Sequence, residues 1–189
     1  TRRIVSVCYG ARDKRAEPGA NAVEAPADVA AASIAGTEPG ALAIKTVPAM
    51  RLYYVQYEQP LAQLADALPA ALISLNVSLV KAGGSADGPP HIIISGGMQD
   101  REAAPSVQLA MPVHGAASGS GKFRLRTTEP FKCVYQSSAG PAGEWRETLV
   151  RLAEAAYAAN HEVTGEARVI LSPGDNTDTL RVELQLGIR

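Results

Sequence analysis

Residues 43–60, AIKTVPAMRLYYVQYEQP, largely decide the fold of this chain. β-Branched and aromatic side chains fill the stretch, which predicts a strand over Ala43–Tyr57, and Pro60 marks the turn after it. Residues 122–141, KFRLRTTEPFKCVYQSSAGP, have the same character and predict a second strand over Lys122–Ser137. Shifted by 81 residues, the two stretches match in the order of their apolar residues, which indicates an internal repeat.

A helix is predicted after each of these stretches. Apolar residues recur at three- and four-residue steps over about 61–81 and about 142–161, as on the buried face of a helix. Pro69 lies inside the first pattern, so we expect either a kink or a late helix start there. Gly83 and Gly165 are expected to end the two helices.

Two further strands follow each helix, starting at His91–Ser95 in the first copy and Arg168–Ser172 in the second. The sequence therefore predicts an α+β fold of duplicated βαββ units with pseudo-twofold symmetry, an antiparallel sheet and two main helices. Repeat one spans about 43–113 and repeat two about 123–189. A single unit leaves one sheet face bare, so two units side by side are expected to bury it and to form a cleft, the natural place for a ligand.

Residues 1–42 differ from the rest because they are rich in Ala, Gly, Pro and Glu and poor in large apolar residues. We expect them to form an N-terminal arm or linker to a domain over 43–189. Ile4–Tyr9 is the only β-capable run in this arm. It is expected to add a strand, or the arm is expected to lie across the domain or a neighbouring molecule, which would make a homo-oligomer.

The composition argues against several classes of partner. The net charge is −1, so the basic excess needed for direct nucleic-acid binding is missing. No apolar run is long enough for a membrane span. The three histidines have no metal-ligand spacing, and no cofactor is expected. The compartment stays open between the cytoplasm and export, if a signal preceded Thr1.

The chain contains two cysteines, Cys8 and Cys133, which lie far apart in the sequence. They fit no metal-binding or redox motif. Two unconnected buried thiols are one interpretation, and a disulfide that ties the arm to the domain is the other.

The opening VPAMRLYYV…YEQP, the helix pair with Trp145 and the closing strand TLRVELQLGI together resemble the GyrI-like, or bacterial effector-binding, superfamily over about residues 41–189. This superfamily includes the ligand-sensing domains of drug-responsive regulators. The resemblance implies small-molecule binding, with Glu183 at the position of the family's acidic residue. The chain departs from the family in lacking a tyrosine in the third strand of each unit, and Gln108 replaces the acidic residue in the first copy.

Glu183 is the central candidate for ligand binding. It shares one face of the last strand with Gln185, while the apolar residues between them share the other. If the apolar face packs on the helices, Glu183 points into the cleft, where a cationic or amphipathic aromatic ligand would neutralise it. The alternative is a solvated edge, or an ion pair with Arg181 or Arg51.

Aromatic side chains are the expected walls of the site, because their faces attract cations. Either alternating set of residues 52–57 could be core, so no single tyrosine is favoured, and Trp145 could serve the core instead of the ligand. The candidates are Tyr53, Tyr54, Tyr57, Tyr135 and Trp145, together with Gln108.

The leading hypothesis is a non-enzymatic module that senses or sequesters a small molecule. A hydrolase of reactive electrophilic compounds is the second hypothesis, with Glu183 and either Tyr54 or Tyr135 as a general acid–base pair. A protein-interaction module that modulates a partner through the arm is the third.

Overall fold

The computed structural model describes residues 42–58, 64, 66–96, 105–138, 145–173 and 180–189. They lie in a compact unit that spans Leu42–Arg189. The residues before it, and with them the predicted strand at Ile4–Tyr9 and the predicted contacts of the arm, lie outside the described residues.

The described residues contain nine strands and two helices whose bounds are defined. In chain order they are β1 (Ile44–Val47), β2 (Arg51–Tyr57), α1 (Leu68–Lys81), β3 (Ser85–Ala86), β4 (His91–Ser95), β5 (Ser106–His114), β6 (Arg124–Thr127), β7 (Phe131–Ser138), α2 (Trp145–Ala158), β8 (Val163–Pro173) and β9 (Leu180–Ile188).

The strands form one antiparallel sheet in the order β1-β7-β9-β8-β4-β5-β2-β6, with the short β3 paired to β5. The succession strand, helix, strand, strand occurs twice, as β2-α1-β4-β5 and as β7-α2-β8-β9. The two units meet where β4 pairs with β8, and the strand order reads the same outward from this seam in both directions. This is the predicted α+β fold of two βαββ units.

Each predicted opening strand is in fact two strands that pair with different halves of the sheet. β1 precedes β2 in the sequence but pairs with β7, and β6 precedes β7 but pairs with β2. Pro48 and Pro130 lie in the breaks. A proline has no N–H to donate to a ladder, so the chain leaves one half of the sheet there and enters the other.

The helix boundaries correct one prediction. α1 begins at Leu68 with Pro69 in its first turn, and Gly83 follows the helix with a φ of 79°. Leu64 is also helical, and residues 66–67 form a turn, so the helical pattern is interrupted just before Pro69. α2 ends at Ala158, and Asn160 takes the left-handed conformation with a φ of 60°. Gly165 does not end this helix. It has a φ of 82° inside β8, where the register with β9 shifts, as in a β-bulge.

The main core lies between the two helices and one face of the sheet. Leu75 and Leu79 of α1 and Leu149 and Leu152 of α2 belong to the same buried cluster. From the strands this cluster takes the alternate residues of one face, including the predicted apolar set of the last strand, Val182, Leu184, Leu186 and Ile188. Among the described residues, no helix is long and apolar enough to cross a membrane.

Candidate ligand-binding face

The sheet face opposite the helices carries most of the polar side chains that are buried. Strand registers place these residues on one face, because directly paired residues of antiparallel strands point to the same side. We call it the helix-free face. Its principal members are Lys45, Leu52, Tyr54, His91, Ile93, Gln108, Ala110, Arg126, Phe131, Cys133, Tyr135, Arg168, Ile170, Glu183 and Gln185.

The centre of the helix-free face is the seam between the two units. His91 of β4 pairs with Ile170 of β8, and Ile93 pairs with Arg168. His91 is 5% exposed and Arg168 is 3% exposed. Burial, with a smaller contribution from the nearby Arg168 charge, lowers the pKa of His91 to about 4, so this imidazole is neutral at ordinary pH.

The Arg168 guanidinium is held on two sides. Its Nε donates to Oε1 of Glu166 at 2.8 Å, and its Cζ lies 3.7 Å from the centroid of the Phe131 ring. Its Nη1 is buried and has no hydrogen-bond partner in the described part of the chain. A buried donor without an acceptor costs the folded state about 1–3 kcal/mol, and an acceptor supplied from outside the chain would remove that cost.

Glu183 is not an unpaired carboxylate. Its Oε1 accepts a hydrogen bond from Lys45 Nζ at 2.6 Å and another from Gln185 Nε2 at 2.6 Å. The Lys45 ammonium also lies 4.3 Å from the centroid of the Tyr135 ring. Glu183 does point to the helix-free face, as alternation predicts, but the expectation of an unpaired charge needs correction, and its partner is neither Arg181 nor Arg51.

The equivalent place in the other unit has different chemistry. The Arg126 guanidinium lies 5.3 Å from the centroid of the Tyr54 ring, and Gln108 occupies the position that corresponds to Glu183. Arg126 Nε and Gln108 Oε1 are buried, and neither atom has a hydrogen-bond partner among the residues described.

Several solved structures are similar to this arrangement of strands and helices. The crystal structure of the EcmrR C-terminal domain has a TM-score of 0.64 at 16% sequence identity, and the alignment covers 79% of this chain and 97% of that one. SAV2435 bound to tetraphenylphosphonium has a TM-score of 0.56 at 9% identity, with 79% and 94% covered. A hydrolase encoded by lin2189 from Listeria innocua has a TM-score of 0.51 at 15% identity, with 78% and 91% covered. These likenesses decide the fold.

The chain has the GyrI-like fold. No protein-family model matches it, and no curated protein sequence is significantly similar to it. In the complex of EcmrR with DNA, the alignment spans 57% of the EcmrR chain, so the chain covers only part of that protein.

Within the GyrI-like fold, the predicted aromatic residues separate into two groups. Tyr54 and Tyr135 lie on the helix-free face. Tyr53 is fully buried on the helix side, where its hydroxyl is 2.8 Å from Ser78 Oγ, and Trp145 is also part of the helix-side core. A ligand role for Tyr53 or Trp145 does not fit these positions.

Tyr57 is also on the helix side of β2, near the end of the strand. It lines a depression of about 200 Å³ together with Gln56, Glu58, Pro105 and Ser106. Burial raises the pKa of the Tyr57 hydroxyl. Glu183 does not line this depression, so Tyr57 and Glu183 belong to different places on the sheet.

Cys133 lies on the helix-free face as a free, buried thiol. Its pKa is raised to about 11, mainly by burial. The predicted alternatives for Cys8, a second buried thiol or a disulfide partner, lie outside the described residues. Within the described ranges, no group of three or more His, Cys, Asp or Glu side chains is arranged to hold a metal ion.

Three cations of the helix-free face, Lys45, Arg126 and Arg168, were not among the predicted site residues. An available signal was period-two alternation, because Lys45 follows Ile44 in a predicted strand and Arg168 lies in the run ARVIL. That pattern gives the face on which a charge lies, but not the residue with which it pairs.

Proposed function

We propose that this protein binds a small amphipathic aromatic molecule on the helix-free face, as a module that senses or sequesters it. One observation carries the proposal. Five buried polar atoms without a hydrogen-bond partner in the described part of the chain belong to this face: His91 Nδ1, Gln108 Oε1, Arg126 Nε, Arg168 Nη1 and Gln185 Oε1. Folded proteins satisfy nearly all such atoms, so their concentration on one face favours a bound molecule as the missing partner.

The apolar part of such a molecule would find aromatic and aliphatic surface beside these polar atoms. Tyr54 and Tyr135 occupy equivalent positions in the two units, at the 81-residue shift of the repeat. On the Tyr54 side of the seam lies a small apolar cluster built from Leu52, Ile93 and Ala110, with Tyr54 packed against it. Aromatic rings and aliphatic carbons of this kind supply most of the contact area in typical ligand sites.

A neighbour with the same fold, SAV2435, is bound to tetraphenylphosphonium, a lipophilic cation, which supports a ligand with aromatic rings. The narrower hypothesis of a cationic ligand relied on Glu183 as its counter-charge. Here Lys45 already neutralises that carboxylate and covers the Tyr135 ring, so a cationic ligand would have to displace Lys45.

The hydrolase hypothesis receives less support from the geometry. One neighbour is described as a hydrolase, but Glu183 Oε1 already accepts hydrogen bonds from Lys45 and Gln185, so two donors of the chain occupy the oxygen that a base would use. Among the described residues, the hydroxyls of Tyr54 and Tyr135 make no hydrogen bond to Glu183. The protein-interaction hypothesis depends on the arm and lies outside the described residues.

A neutral probe tests the proposed function without involving charge. Calorimetric titration with 2-naphthamide should give saturable binding, and Tyr54→Ala should weaken it roughly fivefold, because an aromatic pair contributes about 0.5–1.5 kcal/mol. Tyr157→Ala is the matched control, because Tyr157 is 58% exposed on α2, away from the helix-free face. Tyr157→Ala should leave the affinity unchanged.

Amide chemical shifts in the same titration should locate the probe. Shifts centred on β2, β4 and β5 would agree with the proposal. Shifts centred on the exposed apolar residues of α1, such as Ile73 and Val80, would place the molecule elsewhere and contradict it.

A further inference from the structure

We propose that the helix-free face binds the anionic group of its ligand at Arg126, in the corner formed by Arg126, Tyr54 and Gln108. The inference rests on the proposed function and deepens it, because it identifies the ligand as a flat aromatic acid, such as an aryl carboxylate.

The geometry of this corner follows from the symmetry of the two units. In the second unit, Lys45 lies opposite Cys133 and Glu183 lies opposite Ser137, and together they form the ion pair. Cys133 and Ser137 are four residues apart on β7.

The first unit repeats this placement on β2. Arg126 lies opposite Leu52, and Gln108 lies opposite Gln56, again four residues apart. Because Leu52 and Gln56 correspond to Cys133 and Ser137 at the 81-residue shift, Arg126 stands to Gln108 as Lys45 stands to Glu183. In each unit the cation also lies over the tyrosine between those positions, at 5.3 Å for Arg126 and 4.3 Å for Lys45.

The two equivalent corners differ by one negative charge. Lys45 has a carboxylate, Glu183, while Arg126 faces a neutral amide, Gln108. Arg126 Nε, a buried donor, has no hydrogen-bond partner in any described residue. A guanidinium that is partly removed from water gains most from a carboxylate, which accepts two of its hydrogen bonds at once.

The other ions nearby do not supply that carboxylate. Arg168 is paired with Glu166. Arg124, two residues from Arg126 on the same strand, is a second cation, and it is exposed. Glu58 follows the end of β2 and is exposed to solvent, and no ion pair joins it to Arg126 within the described ranges. Counted over the described residues, the corner therefore carries excess positive charge.

The surroundings of Arg126 select an acid with a flat apolar body. Leu52, Ile93 and Ala110 form a fully buried apolar cluster, and Met50 and Tyr54 pack against it. Arg126 lies at the border of this cluster, since it is directly opposite Leu52. A ring of the ligand can contact Met50 and Tyr54, the partly exposed residues that pack on this cluster, while its carboxylate contacts Arg126. A charged acceptor then replaces water at the guanidinium.

The test compares two probes with the same ring system on the full chain. 2-Naphthoate should bind about tenfold more tightly than 2-naphthamide, because a hydrogen bond between two charged groups is worth more than a neutral one. Arg126→Gln should remove this preference, because it weakens binding of 2-naphthoate more than binding of the uncharged 2-naphthamide. Arg126→Lys should retain part of the preference, and Arg146→Gln, a control on the exposed surface of α2, should retain all of it.

A second variant keeps Arg126 and changes its neighbour. Gln108→Glu gives the first unit the carboxylate of the second, so it should pair with Arg126 and abolish the preference for 2-naphthoate. Equal affinity for the two probes, or a preference that survives both Arg126→Gln and Gln108→Glu, overturns the inference. Binding of 2-naphthamide that depends on Tyr54 would then still support the proposed function. If neither 2-naphthoate nor 2-naphthamide binds, both the inference and the proposed function are overturned.

Discussion

His91 is the residue whose protonation depends most on the fold. Its pKa is lowered from 6.5 to about 4, first by burial and then by the charge of Arg168, while Glu183 opposes the shift and Lys45 adds to it. Above pH 6.5 both the folded and the unfolded chain hold a neutral imidazole. As the pH falls from 6.5 to 4, the imidazole of the unfolded chain becomes protonated while that of the folded chain stays neutral. The free energy of unfolding therefore decreases.

We therefore predict that His91→Gln makes the protein less sensitive to acid. Between pH 7 and pH 4 the wild-type protein should lose up to about 3 kcal/mol more unfolding free energy than the variant, from the linkage of a shift of this size. Urea denaturation at both pH values measures the difference. His114→Gln is the control, because the His114 side chain is 64% exposed. Equal pH dependence of wild type and His91→Gln would contradict the assigned burial.

Glu183 shows which part of a site a sequence can reveal at the residue scale. Period-two alternation in the last strand places its side chain opposite the helices, and that placement needs only local information. Its partner Lys45 is 138 residues away in the sequence. The pairing depends on which strand lies at the edge of β7, a long-range fact that no local pattern contains, and so the carboxylate was expected to be unpaired.

Among the secondary-structure elements, the strands β1 and β6 connect the two units, because each pairs with the unit to which it does not belong in the sequence. Each strand crosses to the other unit and places a cation over a tyrosine there, Lys45 over Tyr135 and Arg126 over Tyr54. Sequence analysis predicted one long strand in each place, because the strand propensity continues on both sides of Pro48 and Pro130. Propensity identifies extended chain, but not the neighbour with which the chain pairs.

This exchange leads to a prediction about cationic ligands. Because β1 brings Lys45 to Glu183, the variant Lys45→Met should bind tetraphenylphosphonium about tenfold more tightly than the wild type, since no ammonium has to be displaced from the carboxylate. Calorimetry at low salt measures the change. Lys132→Met, on the exposed side of β7, is the control of equal net charge and should have no effect. A cation affinity that Lys45→Met leaves unchanged would mean that Glu183 is not the counter-charge.

The whole molecule was the part most open to sequence analysis. The repeated order of strand, helix and two strands constrains the sheet, because two such units have few ways to bury their apolar faces together. The exchanged strands and the ion pairs required the assembled sheet, because they join residues of different units. The sequence predicts which side of the sheet carries the polar residues, but it does not predict which of their charges are paired.

For the whole molecule, we predict that residues 42–189 fold without help from residues 1–41. Every strand pairing and both helices of the described residues lie inside this unit, and residues 1–41 are poor in large apolar side chains. Deleting residues 1–41 should therefore change the free energy of unfolding in urea by less than about 1 kcal/mol. The competing hypothesis adds Ile4–Tyr9 as a strand at an end of the sheet, beside β1 or β6.

A second variant separates the two outcomes. Val5→Asp with Val7→Asp in the full chain would disrupt an added strand while keeping the rest of the arm. If the arm is a linker, this double variant, the truncated chain and the wild type should unfold at the same urea concentration. If both variants lose more than about 2 kcal/mol, the first residues complete the sheet, and the folded unit does not begin at Leu42.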